Sequence, residues 1–184
     1  SGCMADVTII GAGVAGLCAA HMLSRAGLTP RLMDRNGAPG AHGCSWWAGG
    51  MLAPFCEGAV AEPAIVAHGQ AAAAFWSEVT AVTQSGTLVL ALQRDQGELT
   101  RFARRTHGYT VVTDMAALEP ELAHHSAALF FEGEAHLDPR RALADLTRAL
   151  AARGVRIEQA EACLASSSHA ADDTQSYASR GHEQ

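Results

Sequence analysis

Glycines at positions 11, 13 and 16 form Gly-x-Gly-x-x-Gly directly after the apolar, β-branched run that stops at Ile10. No other feature constrains the fold of this chain as strongly. A short apolar run ending at a glycine reads as a buried parallel strand over residues 6–10. Helical spacing of Leu17, Ala20, His21, Leu23 and Ser24, with Gly27 where a C-terminal cap belongs, predicts a helix over residues 14–26. Residues 29–34 read as a second strand, so strand, helix and strand follow one another within about thirty residues. In such a unit Gly11 permits the tight turn, Gly13 lets a pyrophosphate approach the backbone, and Gly16 lets the helix pack closely on the strand. Free N–H groups of Val14 and Ala15 at the helix start are placed to meet phosphate oxygens. Asp34 closes the second strand about twenty residues on, where its carboxylate accepts hydrogen bonds from adenosine ribose hydroxyls and repels a 2′-phosphate.

Composition removes several alternatives. All thirteen basic residues are arginine and the chain has no lysine, which excludes a Schiff-base lysine, a Walker-type phosphate loop and a kinase lysine. A formal charge of −6 without a basic block argues against nucleic acid as a partner. The 48% apolar content suffices for a core. The sequence carries neither a membrane-spanning stretch nor a leader pattern, and residues 1–3 ahead of Met4 read as a remnant of upstream sequence. Cysteines at 3, 18, 44, 56 and 163 have no Cys-x-x-Cys spacing and no zinc-like histidine partners. The expectation is a reduced, cytoplasmic chain without a metal and away from membranes.

Residues 35–62 are rich in glycine and proline and lack a period, so they read as a long loop with at most one short helix. Beyond it the pattern predicts helix over 63–83, strand over 87–92, helix over 98–107, strand over 110–113 and a helical turn at 115–118. A hairpin is expected from 127–132 and 135–137, turning at Gly133. Pro139 then opens an amphipathic helix over 140–153 that Gly154 ends, followed by a strand over 155–160. Residues 164–184 are polar and small and are expected to be disordered. The His124-His125 pair reads as a solvated loop, and Arg104-Arg105 and Arg140-Arg141 as polar faces of helices. Cys44 reads as packing against a cofactor rather than as a reactive thiol.

A dinucleotide site alone does not separate nicotinamide from flavin; the following segment does. Cys44-Ser45-Trp46-Trp47-Ala48-Gly49-Gly50-Met51-Leu52-Ala53-Pro54, with Leu118-Glu119-Pro120 and Glu132-Gly133-Glu134-Ala135-His136-Leu137-Asp138-Pro139-Arg140, resembles the D-amino acid oxidase family of FAD-dependent amine oxidoreductases, and within it the glycine oxidases of thiamine biosynthesis. Trp46 and Trp47 depart from the family pattern, which has one aromatic residue and then small ones.

The resemblance covers roughly residues 5–163. It implies an α/β fold: a Rossmann-like FAD-binding parallel sheet with the start of a mostly antiparallel substrate domain, in a truncated chain. Residues 5–60 would form the FAD-binding unit and flavin loop, 61–138 part of the substrate domain, and 139–163 the return to the first domain. By the same resemblance Val14 and Ala15 meet the pyrophosphate at the turn of Gly11, Gly13 and Gly16, and Asp34 and Arg35 the adenosine end. Cys44 and Ser45 would lie at the central phosphate and ribityl region, and Gly49, Gly50 and Met51 at the flavin, where positions without Cβ suit a flat ring.

The implied reaction is oxidative deamination of glycine or a small amine to an oxo acid, ammonia and hydrogen peroxide. The family's substrate-clamping arginine has no counterpart in this sequence, and no catalytic residue is assigned. The chain is therefore expected to be inactive alone and to self-associate or be complemented by the missing C-terminal half. Two alternatives stand beside this: a D-amino acid or sarcosine dehydrogenase of the same fold, and a non-catalytic adenine-dinucleotide-binding fragment. The flavin-like loop disfavours an NAD-linked enzyme.

Overall fold

The computed structural model describes residues 7–164 and 177–180. β1 (Val7–Ile10), α1 (Val14–Arg25) and β2 (Pro30–Asp34) open the chain, and a single 3-10 turn at Cys44–Trp47 precedes β3 (Met51–Leu52) and α2 (Pro54–Glu57). α3 (Pro63–Gln70), α4 (Ala72–Ser77), β4 (Thr87–Leu90), α5 (Gln96–Ala103), β5 (Thr110–Val112) and α6 (Met115–Leu118) follow. After β6 (Ala128–Phe131) and β7 (Ala135–His136) come α7 (Pro139–Ala152), β8 (Ile157–Gln159), β9 (Glu161–Leu164) and β10 (Tyr177–Arg180). The fold class is the α/β arrangement expected from the sequence. The chain divides into two compact units, one ending at Gly49 and resuming at Pro139, the other spanning Gly50–Asp138. The first crossing thus falls after Gly49, where the sequence places it after residue 60.

In the first unit β1, β2 and β8 form a parallel sheet in that order. α1 turns Leu17, Ala20, His21 and Ser24 inward, and α7 turns Ala142, Leu143, Leu146 and Leu150 inward; the two helices pack on each other. Full burial of a leucine contributes roughly 1.5–3 kcal/mol, and Leu17, Leu32, Leu143, Leu146 and Leu150 are all buried in this core. Arg153 donates from Nε to Ser24 Oγ and from its terminal nitrogen to the Ser24 carbonyl, both at 2.8 Å. The Ser24 carbonyl in the last turn of α1, which already accepts the Gly27 N–H at 3.2 Å, thereby gains a second partner. Across the sheet surface Arg31 makes a bidentate pair with Glu158, and its guanidinium holds that carboxyl below the usual glutamate range. β1 and β8 are the edge strands of this sheet, and Ile10 at the end of β1 is 57% exposed.

The second unit has antiparallel order β4-β6-β5. Leu99, Leu129 and Phe131 form its core, with Phe102 and Tyr109 edge-on to the Phe131 ring. The sequence-predicted hairpin is not formed. β6 already has both edges filled by β4 and β5, so β7 pairs antiparallel with β3 instead. His136 also exchanges backbone hydrogen bonds with Thr83, at 2.8 and 2.9 Å. The helix expected over 63–83 is broken into α3 and α4, with Ala71 closing the first and opening the second. At the other end of the chain, residues 177–180 pair as β10 with β9, correcting the disorder expected there. A ladder needs only backbone groups, so a polar strand can form one. The rest of that expectation, for residues 165–176 and 181–184, lies outside the described residues.

Glu134 fastens the second unit. Its side chain is fully buried, and Oε1 accepts the Cys56 N–H at 2.7 Å. Cys56 is in the first turn of α2, whose N-cap Ala53 brings no side-chain acceptor, so a residue distant in sequence satisfies that donor. The Glu134 carbonyl accepts the Gly86 N–H at 3.0 Å, while Oε2 has no partner among the described residues. Glu134→Ala is expected to lower the unfolding free energy by about 1–3 kcal/mol, and Glu134→Gln, which keeps the acceptor, by clearly less. Urea unfolding of both variants checks this; equal losses would contradict the capping role.

Candidate functional site

Parallel strands of one sheet all end on the same side, and ligands of such sheets bind beyond those carboxyl ends. Gly11 leaves β1 at φ +104° and donates its N–H to the Met33 carbonyl at 2.7 Å. Side chains rarely tolerate that conformation. At Gly16 a Cβ would stand 1.9 Å from the Gly11 carbonyl oxygen, so α1 can approach the end of β1 only because nothing projects there. Gly13 is the N-cap of α1, in extended backbone and without a side-chain cap.

The uncapped start of α1 carries partial positive charge. The sequence leaves the Val14 N–H free; in the structure it donates to Ser45 Oγ at 3.1 Å. A neutral hydroxyl thus holds a donor for which an anionic phosphate oxygen is the stronger acceptor. The Ala15 side chain is exposed beside it. Cys44, exposed, and Ser45 share the 3-10 turn that approaches α1.

Asp34 is tied at both oxygens. Oδ2 accepts the Ala12 N–H and Oδ1 the Asn36 N–H, each at 2.8 Å, and its carbonyl accepts the Ala160 N–H at 3.1 Å. A carboxylate offers about four lone-pair sites, so each oxygen keeps capacity for one hydroxyl. Gly11, Asp34 and Arg35 line a cavity of about 240 Å³ together with Asn36 and residues 160–162. The cavity, the fixed carboxylate and the glycine turn suit the adenosine end of a dinucleotide. Asn36 and residues 160–162 are absent from the sequence-predicted set. The signal that could find them was the third parallel strand, whose C-terminal end must lie beside that of β2.

Of the remaining candidates, Gly49 ends the first unit and is exposed, and Gly50 and Met51 belong to the second. Gly50 accepts the Leu137 N–H at 2.9 Å, and Met51 pairs with His136 in the β3–β7 ladder with its side chain exposed. Burial pushes the Cys18 thiol of α1 up to about 11, and burial followed by Glu134 and Glu57 also raises Cys56, so neither suits a nucleophile at neutral pH. His125 Nδ1 is hydrogen-bonded to the Ala91 carbonyl at 3.1 Å. No group of three or more metal-ligating side chains occurs among the described residues, nor does a helix long and apolar enough to cross a membrane.

Known proteins share this fold. The pattern of the DAO family, FAD-dependent oxidoreductases, matches residues 6–181. The putative thiamine biosynthesis oxidoreductase ThiO of Rhizobium etli is 49% identical over 149 residues, which are 78% of this chain and 45% of that protein. Glycine oxidase from Bacillus cereus superposes with a TM-score of 0.69 at 22% identity, over 86% of this chain and 48% of that one. L-amino acid deaminase from Proteus vulgaris superposes at 0.70 and 19% identity, over 91% and 44%. At such identities these two likenesses are of fold, and this chain spans less than half the length of each of the three relatives. The family pattern runs through the glycine turn, the anchored Asp34 and the strands that carry them: this chain belongs to the FAD-dependent oxidoreductases of the DAO family.

Proposed function

We propose that the first unit holds the adenosine diphosphate half of FAD and that the chain is the FAD-binding part of a glycine-oxidase-like enzyme acting on glycine or another small amine. The observation that carries this reading is Asp34, fixed through Ala12 and Asn36 at the wall of a cavity that opens beside Gly11. In it Asp34 receives the ribose hydroxyls, and Arg35 lies at the adenosine end. Gly11, Gly13 and Gly16 let the chain come close, and the N–H groups of Val14 and Ala15 bind the pyrophosphate. Ser45 yields the Val14 donor and turns its hydroxyl to a phosphate oxygen, with Cys44 alongside, while Gly49, Gly50 and Met51 serve the flavin. Bound FAD supplies the electron acceptor for oxidising an amine to an imine, which water converts to an oxo acid and ammonia while oxygen becomes hydrogen peroxide. The protein's task in such chemistry is to orient a neutral amine, and no side-chain acid or base is assigned.

The glycine oxidase fold and the identity to ThiO support the substrate class. Four unbridged cysteines among the described residues support a reducing, cytoplasmic setting. The exposed edge of β1 supports the further proposal that turnover requires a complementary segment or a second copy. A non-catalytic adenine-dinucleotide-binding fragment is the second reading, which the cavity beside Gly11 and Asp34 supports equally.

After incubation with FAD and removal of free cofactor, the protein is expected to keep flavin absorption bands, and glycine added without oxygen to bleach them once the complementary segment is supplied. Bands that glycine never bleaches, with ADP bound as tightly as FAD, would select the second reading. Asp34→Ala is expected to weaken ADP and FAD alike by about tenfold, the equivalent of about 1.4 kcal/mol; calorimetric titration measures both. At pH 8 a thiol reagent should label exposed Cys44 ahead of Cys18, whose thiolate forms only toward pH 11. Bound FAD should slow the labelling of Cys44, and an unchanged rate would remove that residue from the site.

A further inference from the structure

The sequence assigns Arg140 to the polar face of a helix, and the residue is exposed there, but the structure gives its guanidinium partners in a distant segment. It is the second residue of α7, and its guanidinium carbon stands 5.2 Å from the ring centroids of both Trp46 and Trp47. Its Nε donates to the Trp46 carbonyl at 3.4 Å. A guanidinium is planar and weakly hydrated, so it can attract aromatic faces while donating to an acceptor, which an ammonium does less well. Trp47 is anchored in addition through its indole N–H, which donates to the Ala41 carbonyl at 3.0 Å.

These contacts grip one end of the Cys44–Trp47 turn, and the other end is the Ser45 hydroxyl on the Val14 N–H. Between them the turn has little hold of its own, with backbone bonds of 3.2 Å from Trp46 to Gly43 and 3.5 Å from Ala48 to Ser45. Burial does not explain the contact with Trp47, which is 65% exposed, while Trp46 is half-buried. Nor does helix charge patterning: neighbouring Arg141 makes an ordinary pair along α7 with Asp145 at 3.6 Å, whereas Arg140 reaches back to a turn far away in sequence.

We propose that Arg140, acting through Trp46 and Trp47, is a positioning residue that holds the Ser45 turn against the start of α1 and so presets the phosphate-facing part of the FAD site. The proposal rests on the FAD reading above. The tryptophan pair that departs from the family pattern is the part of this chain that gives an arginine at the start of α7 something to grip. The Ser45 hydroxyl stands 3.1 Å from the Val14 nitrogen, so a shift of about an ångström in the turn would carry it out of reach of a phosphate oxygen bound at that N–H.

The test uses the full chain and its variants Arg140→Ala, Arg140→Lys and Arg141→Ala, with ADP and FAD as probes in calorimetric titration and amide exchange measured without nucleotide. In Arg140→Ala, exchange over residues 12–15 and 43–49 should quicken about tenfold with an unchanged melting temperature, and ADP and FAD should both bind about fivefold more weakly. Arg140→Lys should recover part of each loss. Arg141→Ala removes the same charge one residue away and should match the parent. Exchange in Arg140→Ala equal to the parent's would overturn the proposal, as would faster exchange throughout the chain with a lowered melting temperature. An equal loss of affinity in Arg141→Ala would overturn it too. A parent chain that binds neither ADP nor FAD would refute the FAD reading, and the exchange result would still decide the positioning role.

Discussion

The closeness of Gly16 to the Gly11 carbonyl is the constraint from which the first unit follows. Because no side chain separates them, the start of α1 settles directly on the end of β1. Ala12 then lies within reach of Asp34, and Val14 within reach of Ser45. The polar groups gathered there are largely main-chain N–H groups, whose positions follow from the path of the chain. The phosphate site proposed there needs no lysine, and this chain has none. Asp34 adds a carboxylate whose orientation two backbone donors fix.

The second unit is organised around a different constraint. β6 is paired on both edges, so the chain leaving it must turn away, and it does so at a buried carboxylate. Glu134 joins that turn to α2, and β7 then continues as the partner of β3. Two short strands of two residues each hold little by themselves. The Glu134 contact with Cys56, the Leu137 bond to Gly50 and the Thr83 bridge to His136 make the ladder persistent.

The first strand, helix and strand were legible because their determinants are local: a β-branched run, a glycine spacing and an aspartate at a strand end. α7 was legible for the same reason, with Pro139 at its start and a clear apolar stripe. The false hairpin around Gly133 shows where such reading stops, since the turn residues are right and only the occupancy of the β6 edges decides against it. The break at Ala71 is equally silent, because alanine favours a continuous helix and packing overrides propensity. Of the cavity lining, Gly11 and Asp34 were legible from motif spacing, whereas residues 160–162 join them through the pairing of β8 with β2. Arg140 gave no local sign of its role. Its partners lie in another segment, and a basic residue at a helix start reads as solvated.

Titration of the isotopically labelled chain with ADP, followed through its backbone amide resonances, addresses the central claim most directly. The account predicts saturable shifts at Gly11, Val14, Ala15, Asn36 and Ser45 and at residues 160–162, with the Val14 and Ala15 amides moving downfield as an anionic oxygen replaces the Ser45 hydroxyl. Saturable shifts confined to the second unit, or none at millimolar ADP, would contradict it.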